Sequence, residues 1–320
     1  KQKWLFKKFQ FIFDYVDTSE ISGKPILTVS IKEQIENNYY RKDPKTSKQV
    51  ITGMKKAGID EMLNQDGVKQ FLDEAFKEVD IYDNDISLLL NKFVSPLSNI
   101  ATSFYKFYIY DTIDVGGQKC ADLVFVPFNS ESFGFVGRMY VTLDSTYFVK
   151  KIKMNVPHDI NLNFVENMAI EQEFKRLPDG TRLLDKDDII VEFKIIPHTQ
   201  GLYARRINTY RKYSFDEPED LSVFDKRERI IIEDDAEMKP DAFWVDNRHV
   251  PVRTKENAVE KMLTRLREVP VFYYTEKVIS ILVSGYIPTK SENSKFDFGP
   301  MNTTISGNTA EGARFRIGGM

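Results

Sequence analysis

The chain has three histidines, and two of them, His158 and His198, fall in turns of matching composition, VPHD and PHTQ; the third is His249. Imidazole serves as a general base or a metal ligand near neutral pH. In an antiparallel meander one hairpin separates those two turns, which puts both at one end of the sheet. Asp159 is available as a third ligand, yet a zinc site normally holds three or four fixed ligands, and histidines in turns ordinarily face solvent. A hydrolase working at His158 and His198 is the enzymatic reading these residues allow. Carboxylates crowd at EDDAE (233–237) and at DKDD (185–188). Neither run sets two carboxyls across a cleft in contrasting environments, as acid–base chemistry requires. Both also lack the glycine and alternating oxygen ligands of a calcium loop, so both read as solvated charge. The chain contains no G-x-S-x-G elbow, no phosphate-binding glycine loop, no dinucleotide fingerprint and no H-E-x-x-H pair. No catalytic residue, metal or cofactor is assigned.

Composition narrows the partners. Basic and acidic residues number 45 and 48, a formal charge of −3, and no basic stripe stands out, which sets nucleic acid aside. The single cysteine, Cys120, closes no internal disulfide and reads as a small packed hydrophobe at a half-buried strand position in QKCADLVFV. No apolar run reaches the roughly 18 residues of a membrane-spanning helix, and the start shows no secretory signal. KQKWLFKKFQFIFDYV lacks a methionine and runs almost directly into strand-like sequence, so the chain reads as cut at this end.

The elements that must position any site follow from periodicity. From Phe9 to about Tyr213 the dominant period is two, broken at VGGQ, FNSES, LDST, VPHD, LPDG and PHTQG. Short turns between alternating segments predict an antiparallel meander. The segment 160–174 reads as one strand whose length, roughly 50 Å at about 3.3 Å per residue, predicts strong twisting and coiling. A sheet so coiled needs its apolar concave face covered. Val68, Phe71, Leu72, Ala75, Phe76 and Val79 recur at helical spacing within 58–80, predicting one or two helices on that face. The expected fold is α+β: a strongly curved antiparallel sheet, an incomplete barrel, with helices on the concave side and a helical C-terminal segment.

Beyond Tyr213 the texture changes. Residues 217–253 cluster charge without a lasting period and read as a connector. Thr254 caps a helix stopped by Pro270, and the apolar 271–288 reads as a buried helix or as an interfacial one lying on a membrane. The expected division is a sheet domain at 1–216, the connector at 217–253, a helical segment at 254–289 and a separate C-terminal portion at 290–320.

Aromatic residues make up 13% of the chain. FYKFYIYDTI (104–113) is apolar on both faces, so it belongs either to a filled core or to a strand lining a greasy cavity. A curved sheet left unfilled would present a groove suited to an acyl chain or an apolar peptide. The side chains expected to line it are Phe135, Met139, Val141, Ile152, Met154, Leu162, Phe164, Met168 and Ile170.

The segment CADLVFVPFNSESFGFVGRMYVTLDSTYFVKKIKMNVP resembles LolA-like lipoprotein-handling domains, in which a strand ending in proline precedes two strands around an L-D-x-T-type hairpin. That resemblance implies an incomplete, strongly curved barrel with helices over an apolar face. FDYVDTSEISGKP, SPLSNIATSFYKFYIYDT, FWVDNRHVPVRTKE, SGYIPT and GPMNTTISGNTAEGARFRIGG are together similar to an uncharacterised Bacteroidota outer-membrane family. Its members carry a carboxypeptidase-regulatory-like sandwich upstream and a surface-antigen-type β-barrel downstream. The resemblance implies that 290–320 begins that barrel, with Phe315 and Ile317 facing lipid and Arg314 and Arg316 the lumen. It implies a non-enzymatic module on the periplasmic side of the outer membrane, joined to that membrane through the barrel, whose client is a lipid, a lipoprotein or an unfolded barrel segment. The alternative is a structural spacer or protein-docking platform with a fully packed core.

Overall fold

Two three-residue strands, β1 (Val16–Thr18) and β2 (Pro25–Leu27), precede a long antiparallel hairpin of β3 (Ser30–Arg41) and β4 (Thr46–Gly58). The computed structural model describes residues 14–58, 66–162, 164–194, 201–218, 220–249 and 259–267, with four short strands beyond. The chain divides into two units, one of residues 1–17, 27–69 and 220–320, the other of residues 18–26 and 70–219. Residues 27–69, grouped by periodicity with the sheet domain, thus cluster with the C-terminal part of the chain.

In the first unit, β14 (Ile230–Ile232) lies parallel to β4, with Ile230 beside Gln49 and Ile232 beside Ile51. A parallel neighbour needs a long connection, and this strand comes from within the expected connector. Lys48 of β4 is buried and donates to the carbonyls of Lys226 and Glu228, which ties the approach to β14 down. Helix α3 (Asp241–Asn247) buries Trp244 and brings Phe243 against Gly53. A Cβ at Gly53 would stand 2.5 Å from the Phe243 ring, so glycine permits the approach. Arg248 grips both carboxylate oxygens of Glu33 at 2.6 Å. Helix α4 (Val259–Arg267) falls where Thr254 to Pro270 predicts one. Most of the apolar run 271–288 lies outside the described residues. The remaining strands are β15 (Ile287–Pro288) with β16 (Asp297–Phe298), and β17 (Ile305–Asn308) with β18 (Gly312–Phe315), each pair antiparallel.

The second unit carries the meander. Helix α1 (Asp66–Ala75) leads into a small hairpin of β5 (Asp85–Leu88) and β6 (Asn91–Val94) and a single turn, α2 (Ala101–Phe104). Then come β7 (Tyr105–Val115), β8 (Gln118–Pro127), β9 (Val136–Thr142), β10 (Val149–Asn155), β11 (Val165–Arg176), β12 (Arg182–Phe193) and β13 (Leu202–Thr209). They pair strictly in sequence order as one seven-stranded antiparallel sheet. One face is apolar because the period-two residues agree across the five registers from β7 to β12: Phe125 opposes Phe107, Met139 opposes Leu123 and Ile152, Ile170 opposes Met154 and Ile189.

Two expectations are corrected. The fold is mostly β with few helices rather than α+β, and no sheet is strongly curled. The strand expected at 160–174 also begins later than its periodicity suggests. Ile160, Leu162 and Val165 donate backbone hydrogen bonds to Pro157, Ile160 and Leu162, and Phe164 takes a left-handed φ of 69°. The predicted 15-residue strand is therefore a turn followed by a 12-residue β11, about 40 Å at about 3.3 Å per residue. Register irregularities in β7, β11 and the β9–β10 pair bend the ladders locally. The sheet stays open, with β7 and β13 at its margins.

Candidate functional site

The apolar sheet face is where composition points, and its own chain fills it. Phe71, Leu72, Ala75 and Phe76 from α1 and the residue after it, Val79 and Ile81 from the following segment, and Ile86, Leu88 and Phe93 from the β5–β6 hairpin pack onto the strands as one apolar cluster. Of the nine expected lining residues, Phe135, Met139, Ile152, Met154, Leu162, Met168 and Ile170 are buried at 4% exposure or less inside that cluster. Val141 is half-buried against it. Phe164 is 59% exposed, because its left-handed backbone turns the ring away. At the VPHD end, a cavity of about 30 Å³ is lined by residues that include His158, Ile160, Leu162 and Met168, room for a water molecule but not for an acyl chain.

Polar groups fasten the cover. Gln172 and Asp187, 1% and 2% exposed, lie among the apolar residues of β11 and β12. Gln172 Nε2 donates to Val79 O at 2.8 Å and to Asp187 Oδ1 at 2.9 Å, while Arg206 bonds Asp187 Oδ2 at 2.9 Å and the Phe76 carbonyl. The chain leaving α1 is thereby held to β11 and β13, with Asp187 of β12 bridging the two donors. At the other end, the hydroxyl of buried Tyr105 donates to Val94 O and accepts from Phe135 N at 3.0 Å, and burial pushes its pKa up to about 12.

The opposite face is charged and largely self-neutralised. A row crosses it from Arg138 with Asp122, through Lys151 and Lys153 with Glu171, to Lys186 and Arg205 with Asp188. Burial acts to raise the Asp188 carboxyl, but the bidentate Arg205 and the nearby Lys186 outweigh it and hold the group below its ordinary value. Residues 18–26 lie over this face. Ser19, Ser22 at 2.6 Å and Asn167 at 2.7 Å all donate to Glu192, and Lys24 reaches Glu166 at 3.3 Å. Burial raises Glu192 too, and again the donors prevail and lower its pKa.

The residues singled out for chemistry do not converge. His198 lies outside the described residues, His158 borders the small cavity, and no group of three or more potential ligands occurs among the described residues. EDDAE is surface charge, with Glu233 and Asp235 on Lys239 and Glu237 on Lys56. DKDD is not: Asp187 and Asp188 are both buried, on opposite faces. The signal was present in the sequence, since period two places Asp187 with Ile189 and Val191, and the adjacent Arg205 and Arg206 of the next strand supply one cation to each face. Cys120 is fully buried in β8. FYKFYIYDTI is neither covered on both sides nor inside a cavity, because β7 is a margin with Tyr108, Ile109 and Tyr110 exposed.

These features define a mostly β protein built on an antiparallel meander whose apolar face is occupied by its own chain. Residues 5–213 match a family of unknown function, DUF5686, and the chain belongs to that family. No curated protein and no solved structure matches it, so neither the LolA-like resemblance nor the outer-membrane context has a named relative behind it.

Proposed function

We propose that the chain is a non-enzymatic structural and protein-docking module with a packed core. The observation that carries this is the occupied sheet face: α1, the segment after it and the β5–β6 hairpin already bury the residues that a client would need to touch. The outer face supports the same reading, because most of its described charges, from Asp122 to Asp188, are paired with one another across the sheet. On the resemblance to outer-membrane proteins, we place the module on the periplasmic side of that membrane, joined to a downstream barrel. An apolar client would have to displace the cover, breaking the hydrogen bonds of Gln172 and Arg206 as well as the apolar contacts.

Titration with a fluorescent fatty acid and with an apolar peptide tests the reading. No saturable uptake is expected, and delipidated protein should retain no lipid from extracts. Stoichiometric, saturable binding that Met154→Trp abolishes would instead establish a client site on this face.

A further inference from the structure

The β7 margin differs from the rest of the second unit. Among the described residues nothing pairs with its outer edge. The direction of its backbone groups follows from its ladder with β8. Phe128 N bonds Phe104 O at 2.9 Å, so alternation turns Lys106 and Tyr108 toward β8 and leaves Tyr105 and Phe107 facing outward. At the far end Gly116 and Gly117, with φ of 57° and 79°, form a two-residue turn closing Val115 on Gln118. There Asp111 and Ile113 face β8, while Thr112 and Asp114 face outward. The register irregularity between Ile109 and Asp111 reconciles the two halves.

Charge shows what fits this edge. Elsewhere on the outer face Asp122, Glu171 and Asp188 each have a cation at 3.2 Å or closer. On β7, no described carboxylate lies within 4.0 Å of Lys106, whose ammonium stands 5.4 Å from the Phe128 ring, and no described cation lies within 4.0 Å of Asp111. These two opposite charges share the outer face on either side of the bulge. Between them Tyr108, Ile109 and Tyr110 are 54%, 75% and 69% exposed. A long edge strand with exposed apolar side chains is a template for pairing with another strand, and a strand with Lys106 at one end and Asp111 beyond its centre is complementary to itself.

We propose that two copies of this chain join edge to edge through β7, antiparallel about a two-fold axis at the bulge. Tyr105 and Phe107 then lie opposite Asp114 and Thr112 of the partner subunit, on both sides of the axis, each pair joined through one backbone bond, because Tyr105 N already donates to Ala101 O and Thr112 N to Asp111 Oδ1 at 2.7 Å. Lys106 comes diagonal to Asp111 of the partner subunit, twice over, and the exposed Ile109 is buried at the centre. The proposal does not depend on the function proposed above, since it concerns the sheet margin and not the filled face.

Sedimentation equilibrium of the 320-residue chain tests it. Wild type should show a concentration-dependent dimer. Lys106→Glu and Asp111→Lys should each weaken it about tenfold, as expected for two cross-strand charge pairs turned repulsive. An equimolar mixture of the two variants should recover wild-type association, because each then meets its opposite charge. Ile109→Asp, at an exposed position, should abolish the dimer while its circular dichroism spectrum stays that of wild type. A wild type that stays monomeric to the highest concentration, or a dimer indifferent to Ile109→Asp and to mixing, overturns the proposal.

Discussion

Tyr105 shows how one hydroxyl sets the boundary between sheet and cover. Its ring belongs to the apolar cluster, and its Oη bridges Val94 O and Phe135 N, two backbone groups from separate segments. Tyr105→Phe keeps the ring and strands both partners, so urea denaturation should show a loss of about 1–3 kcal/mol. Asp188 gives a pH test. Its folded pKa lies below the unfolded carboxylate value, so its contribution is fully present above roughly pH 4 and is lost as pH falls through the lowered folded value. Asp188→Asn should therefore be less stable than wild type near neutrality, by about 1.5–3 kcal/mol for a charge-assisted pair. The gap should narrow as both proteins are acidified below pH 4. A gap constant down to pH 2 would show that the charge of Asp188 contributes nothing.

Among the elements, the segment leaving α1 depends on β11, β12 and β13 together. Gln172 of β11 and Arg206 of β13 donate to the carbonyls of Val79 and Phe76, and Asp187 of β12 accepts from both of them. Removing one partner of a buried ion pair leaves the other uncompensated. Asp187→Ala should cost about 3–5 kcal/mol, and adding Arg206→Met should recover part of that loss. Amide exchange near Val79 and Ile81 should rise in the single variant more than exchange in β9 and β10, because the clasp fails before the central strands do.

At the scale of the whole molecule, the decisive property is that, among the described residues, the sheet's apolar face is covered by its own chain. Met154 is 1% exposed within the cluster, so Met154→Ala should cost about 2–5 kcal/mol and leave a void. A dry apolar void of that kind takes up benzene or xenon. The variant should therefore gain a measurable rise in melting temperature with benzene, and wild type should show none. A wild type that responds equally would mean that a cavity exists before mutation.

Local sequence was enough to determine the meander. Alternation and short turns specify neighbouring antiparallel strands without reference to anything distant, and the same alternation marks Met139, Ile152, Met154, Met168 and Ile170 as one face. That the chain belongs to a family of unknown function also rests on the order of residues, over 5–213. Three other properties required tertiary structure. Where β11 begins depended on a left-handed Phe164, which lies just before the strand that periodicity starts at 160. The role of DKDD depended on its neighbour in space, because the half-buried Arg205 and Arg206 let a run that looks solvated bury two carboxylates. The exposure of Tyr108, Ile109 and Tyr110 depended on which strand ends the sheet, which periodicity leaves open because an edge strand and a central strand can share one pattern. Periodicity is a property of a segment, whereas filling, pairing and edges are properties of what lies across from it.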